Sequence, residues 1–168
     1  MSKDLIAYFS KDGYNFLNGE IVNLEKGFTE KVAEVIKGVT GADMFKIDPV
    51  KRYSNDYHEC VIEARKDKEE NRRPKFKDTL KNLDEYETIY LGYPNYCGTM
   101  PMHVFSFIER YDNLKGKVIK PFCTNGGGGL GSSIEDIKKM CKEATIEEPL
   151  SINADYIEKS ISLIKKWA

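Results

Sequence analysis

Three features of the sequence predict an α/β fold built on a doubly wound parallel sheet. Short apolar runs rich in β-branched and aromatic residues alternate five times with longer segments of helical spacing. The central run, residues 88–91, is apolar and ends in Gly92, the pattern of a strand covered on both faces. The runs over residues 3–9, 88–91 and 117–123 each give way to a loop rich in Gly, Asn, Ser, Thr or Pro, and in an open parallel sheet such loops gather at the carboxyl edge, where ligands bind.

In order, residues 3–9 form a first strand that stops at Ser10-Lys11-Asp12-Gly13. The connection to the next helix is long for a βα loop, whose usual length is about 2–6 residues. Asn18-Gly19, flanked by Phe16, Leu17, Ile21 and Val22, gives it a small hairpin of its own. Val32, Ala33, Val35 and Ile36 mark a helix with Thr29 near its N-cap and Gly38 or Gly41 near its end. A second strand over residues 42–47 closes at Asp48-Pro49. Residues 55–71 read as a helix with a narrow stripe of Tyr57, Val61, Ile62 and Ala64, ended by Pro74. The charges from Lys66 to Arg73 alternate in sign, which reads as a solvated helix end.

After the central strand, Pro101 opens a helix over residues 102–111 that buries Val104, Phe105, Phe107 and Ile108. Residues 117–123 form the fourth strand, and a Gly-rich loop leads to a helix over residues 134–141 capped by Ser132 or Ser133. A weak last strand lies within residues 144–152. A final helix spans residues 154–167 and buries Ile157, Ile161, Leu163 and Ile164.

The 168 residues suit one domain with a full core. Twenty-six basic residues against 27 acidic ones exclude a nucleic-acid footprint carried by total charge. No apolar run approaches the ~20 residues of a membrane span, and the start leads into a strand instead of a signal-peptide core, so the expected location is the cytoplasm. Cys60, Cys97, Cys123 and Cys141 are widely spaced, which predicts reduced thiols and no zinc site. His58 and His103 lack any metal-ligand spacing and read as surface residues; no metal is expected.

Three loops carry the candidate chemistry. The first, residues 10–29, sets hydroxyls, amides and a glycine ahead of a helix N-terminus, where unpaired N–H groups and the helix dipole favour a phosphate. It matches neither a Walker loop nor G-x-G-x-x-G. The second, residues 93–100, offers Tyr96 as a flat aromatic, backbone groups freed by Gly98, and flanks of Pro94 and Met100, a surface suited to a planar heteroaromatic ring. The third, residues 124–131, is too rich in glycine to pack by itself, so its backbone approaches a ligand or flexes over one.

Tyr8-Phe9-Ser10, Leu91-Gly92-Tyr93-Pro94, Gly98-Thr99-Met100-Pro101 and Thr124-Asn125-Gly126-Gly127-Gly128-Gly129 with Gly131-Ser132-Ser133 together resemble a flavodoxin, more narrowly the bacterial flavodoxin-like branch with an extended first loop. The resemblance implies a three-layer fold on a five-stranded parallel sheet of order 2-1-3-4-5, with FMN bound noncovalently. It implies that Ser10, Lys11 and Gly27-Phe28-Thr29 hold the phosphate, with the insertion from Asn15 folded beside it. Pro94, Asn95, Tyr96, Cys97, Gly98, Thr99 and Met100 then line the isoalloxazine, and Thr124, Asn125, Gly126 and Gly131 close its other edge. The peptide near Gly98 is expected beside flavin N5, with no Lys or Arg nearby in that loop. The sequence departs from the family pattern at Phe28, where Asn is common, at Cys97, where an aromatic is common, and in its near-neutral charge. The implied activity is electron transfer to redox partner proteins or to a small acceptor such as a quinone; an FMN-dependent NAD(P)H:quinone-type reductase and a flavin-free binding module are the competing expectations.

Overall fold

The computed structural model describes residues 3–168; Met1 and Ser2, which head the segment read as leading straight into a strand, lie outside the described residues. Strands β1 (Lys3–Tyr8), β4 (Asp43–Lys46), β5 (Tyr86–Pro94), β6 (Val118–Asn125), β7 (Thr145–Ile146) and β8 (Leu150–Asn153) form one parallel sheet. Its order is β4-β1-β5-β6-β7, with β8 also on β6. Counting β7 and β8 as one edge, this is the expected 2-1-3-4-5 order. The split has a local cause. β7 pairs with Val118 and Ile119, β8 pairs from Phe122 onward, and Pro121, which has no N–H to donate, stands in the gap.

Side chains of period two send each strand into two cores. Leu5, Ala7 and Phe9 with Ile89, Leu91 and Tyr93 pack on one face, against α3 (Met102–Arg110) and α4 (Ser133–Met140). Ile6, Tyr8, Tyr90 and Phe122 pack on the other, against Val32, Ala33 and Ile36 of α1 (Phe28–Thr40) and Ile164 of α5 (Ile161–Trp167). Gly92 is required by space: a Cβ there would sit 2.1 Å from the Phe122 ring. Both central strands run on to Pro94 and Asn125, further than their apolar runs suggest, because the strand ladder continues to Pro94 and Thr124.

Several expectations need correction. α1 starts at Phe28 with Gly27, two residues before Thr29, as its N-cap, while its close at Gly41, at φ 70°, is one of the two ends expected. The helix α2 (Tyr57–Glu69) ends well before Pro74 and buries only Cys60 and Ala64, while Ile62 is 64% exposed. The final helix is broken: 3-10 turns at Ala154–Tyr156 and Glu158–Ser160 precede α5, and Leu163 faces solvent. Ser132 is the N-cap of α4, yet its hydroxyl donates to Gly98 O and Asp136 instead of capping an amide. His103, read as a surface residue, is 1% exposed between Phe9 and Tyr53. All four cysteines are unpaired thiols. Among the described residues no helix is long and apolar enough to cross a membrane, and no cluster of three or more His, Cys, Asp or Glu could hold a metal ion.

Candidate functional site

The carboxyl ends of β1, β5 and β6 present the three loops side by side. In the first, strands β2 (Gly13–Leu17) and β3 (Glu20–Leu24) form the expected antiparallel hairpin, turning at Asn18 and Gly19 with φ 51° and 81°. Asn15 closes its base, donating from Nδ2 to the carbonyls of Lys11 (2.9 Å) and Gly13 (3.2 Å). The Lys11 ammonium donates to the carbonyls of Asp12 and Tyr14. Where the hairpin returns to α1, Ser10 Oγ accepts from the Glu30 amide at 3.1 Å. The amides of Phe28 and Thr29 have no partner among the described residues. Gly27 permits this junction, since a Cβ would lie 2.3 Å from Ser10 Oγ and 2.5 Å from Lys11 O. Thr29 is 1% exposed, and its hydroxyl meets Thr124 Oγ1 at 2.9 Å, tying α1 to the end of β6.

The second loop turns sharply at Cys97 and Gly98, whose φ angles of 55° and 92° belong to a type I′ turn, with Tyr96 and Thr99 exchanging backbone hydrogen bonds across it. Its polar groups are held from three sides. Asn95 Oδ1 accepts from the Gly98 amide and Asn95 Nδ2 donates to Gly129 O, each at 2.9 Å. Ser132 N donates to Gly98 O at 2.7 Å, and Lys68 of α2 donates to Cys97 O. Thr99 donates to Asp136 and is buried, and Met100 is a core side chain at 1% exposure. Tyr96 packs edge-on against Phe9, at 5.7 Å between ring centroids, and tilted to Tyr53. Burial, then the neighbouring Cys60, pushes its hydroxyl well above the ordinary tyrosine range.

The third loop braces the second. A Cβ on Gly131 would fall 2.1 Å from Gly98 O, so the two backbones touch. Asn125 turns away, donating to Ser151 Oγ and accepting from the Gly127 amide, and Gly126 is exposed. The residues that enclose space together are Lys11, Asn15, Asn95, Tyr96 and Cys97, around a cavity of about 260 Å³. Its other wall is α2, through Tyr57, Cys60 and Arg65, and no residue of the third loop lines it. The second loop carries no Lys or Arg of its own, but Arg65 and Lys68 reach it from α2, whose polar face reads in the sequence as solvated. Burial, as the main cause, raises the Cys60 thiol above its usual range.

The residues present fit FMN in two respects. Two unpartnered amides beside the Ser10 hydroxyl suit a dianionic phosphate, and a cavity walled by tyrosines and turn peptides suits a flat ring with amide-like edges. Comparison with known proteins supports the same family. No curated protein matches the chain. Among solved structures, a candidate flavoprotein from Bacteroides uniformis superposes with a TM-score of 0.77 at 24% identity, covering 99% of this chain and 97% of that one. One from Bacteroides eggerthii gives 0.71 at 26% identity, covering 98% of each. A Lactobacillus acidophilus flavoprotein in complex with FMN gives 0.66 at 16% identity, covering 95% of this chain and 98% of that one. The family model described as flavodoxin matches residues 3–168, and with a 2-1-3-4-5 sheet beneath that match the chain belongs to the flavodoxin family.

Proposed function

We propose that the chain acts as a single domain that binds FMN noncovalently and transfers electrons through it. The observation that carries this reading is the pair of unpartnered amides of Phe28 and Thr29 beside Ser10, whose neighbour Lys11 lines a cavity with Asn95, Tyr96 and Cys97. The phosphate takes hydrogen bonds from those amides and from the Ser10 hydroxyl, which keeps its proton free while accepting from Glu30. Asn15 holds the hairpin base against the site, and Thr29 with Thr124 fixes the helix to the sheet. The 94–100 loop orients the ring, and Tyr96 excludes water from one side of it. Bound FMN supplies the electron storage; the protein supplies position and electrostatics.

A formal net charge of −1 gives little steering toward basic redox proteins, which favours a small acceptor such as a quinone over electrostatic docking to a protein partner. The test is the absorption spectrum after FMN addition and desalting, followed by anaerobic stepwise reduction. Retained flavin supports the cofactor. Two resolved one-electron steps then mark a carrier, and a single two-electron step with rapid NAD(P)H-to-quinone turnover marks a reductase. Loss of all flavin on desalting overturns the proposal and leaves a flavin-free binding module.

A further inference from the structure

A second cavity shares no lining residue with the three loops. It measures about 610 Å³ and is bounded by the segment after β4, by the second half of α2, by residues 72–75 and by α3. A short antiparallel bridge, Pro49 to Phe76, with Val50 N donating to Lys75 O at 3.0 Å, clips two of these segments together. Six cations line the space: Lys51, Arg52, Lys66, Arg72, Arg73 and Lys75. They are scattered through the sequence, and the alternating signs of residues 66–73 conceal them; the fold gathers them around one volume.

The carboxylates of the cavity are already engaged. Asp67 accepts from the Tyr53 hydroxyl at 2.6 Å and sits 3.7 Å from Arg72, and Glu63 accepts from the Ser54 amide at 2.7 Å. Lys51, Lys66 and Lys75 form no ion pair among the described residues. The carbonyls of Lys66, Asp67 and Lys68 at the end of α2 are taken up by the amides of Glu70, Arg72 and Asn71, so they do not oppose an anion as free acceptors. A second observation is independent of charge. His103 lines the same cavity at 1% exposure, and its Nδ1 is the one buried side-chain polar atom without a partner among the described residues. Buried polar atoms are ordinarily satisfied, so an orphan just behind the wall of a cation-lined space marks a weak point in the packing of that wall.

We propose that this cavity is a second binding site, for a small molecule carrying phosphate or diphosphate, with the unpaired Lys51, Lys66 and Lys75 around the anion and the His103 ring in its wall; Arg52, Arg72 and Arg73 are held in ion pairs with Asp12, with Asp67 and Glu70, and with Glu109. The volume accommodates a diphosphate or a mononucleotide. The site does not depend on flavin. Tyr53 and Phe9, which flank His103, also touch Tyr96, so a ligand here would abut the back of the FMN loop.

The test is calorimetric titration of the purified chain with pyrophosphate, then with ADP, at about 150 mM salt, with and without FMN, alongside NMR of the two histidine rings. The expected result is saturable pyrophosphate binding that shifts the His103 ring signals, leaves those of His58 in place and persists with FMN present. The Lys66→Gln, Lys75→Gln double variant removes charges that make no ion pair, and should weaken binding at least about tenfold while folding normally. Tighter binding of ADP than of pyrophosphate assigns the ligand as a nucleotide; equal or weaker binding assigns the phosphate group alone, and both sustain the proposal. No binding, no change at His103, or an affinity indifferent to the double variant overturns it.

Discussion

Lowering the pH should destabilise the protein through His103. Burial, only partly opposed by Asp67, brings its imidazole down from the usual 6.5 to about 4. The unfolded chain takes up a proton below about 6.5 and the folded one only below about 4, so between those values the unfolded state binds more protons and stability falls as pH falls. The stabilisation is complete above about 6.5. The gap is worth about 3 kcal/mol in full, of which about 2 kcal/mol is lost by about pH 5. For a chain of this size that corresponds to a fall of about 4–8 °C in Tm. Urea denaturation at neutral and mildly acidic pH measures it. The His103→Phe variant keeps an aromatic ring against Phe9 and Tyr53 and removes the unpartnered nitrogen; it should be at least as stable at neutral pH and lose this part of the pH dependence. An unchanged wild-type midpoint across that range, or an equal fall in His103→Phe, would refute the reasoning.

Gly131→Ala places a Cβ 2.1 Å from Gly98 O at a φ of 54° and breaks the bond from the Ser132 amide, so a loss of about 2–4 kcal/mol is expected; an unaltered thermal transition would show that the two loops are not in contact. Ser10→Ala removes a hydroxyl assigned to the phosphate, and fluorescence titration should find FMN weakened about tenfold or more while riboflavin is unaffected. Equal losses for both would put the phosphate elsewhere. Lys68→Ala removes the cation on the Cys97 carbonyl and should lower the midpoint potential of bound flavin by tens of millivolts, because a nearby positive charge favours the more negative reduced form. A potential that stays fixed would separate Lys68 from the ring.

The sheet was legible because its signals are local. Short apolar runs, the Asn18-Gly19 hairpin and the Gly41 stop each need only their own few residues. The three loops were legible because a parallel sheet obliges them to share an edge. What escaped depends on pairs distant in sequence. Gly27 and Gly131 are required by Ser10 and Gly98, which lie 17 and 33 positions away, and nothing local to either glycine reveals that. His103 follows Pro101-Met102 in what reads as a helix start, and only the packing of Phe9 and Tyr53 over it makes it a core residue. Helix α2 misled for the opposite reason. Its polar composition describes its solvent face correctly, while Lys68, Arg65 and Lys66 leave that face for two different sites.

The peptide joining Cys97 to Gly98 is where these long-range pairs converge. A cysteine at φ 55° is a strained choice for the first position of a type I′ turn, where Asn or Gly sits more easily. Its conformation persists because the surroundings over-determine it: the Gly98 amide is held by Asn95, the Cys97 carbonyl by Lys68, and the Gly98 carbonyl by Ser132 from a neighbouring helix start. If this peptide reorients toward flavin N5, as the family resemblance implies, it must release Asn95 and Lys68 together. Two hydrogen bonds of about 1 kcal/mol each then oppose the flip. Asn95 also grips the third loop through Gly129, so the same movement loosens the contact between the second and third loops. On the proposed function, such a flip would couple the redox state of the bound flavin to α2 and to the Gly-rich loop, neither of which is required to touch the ring.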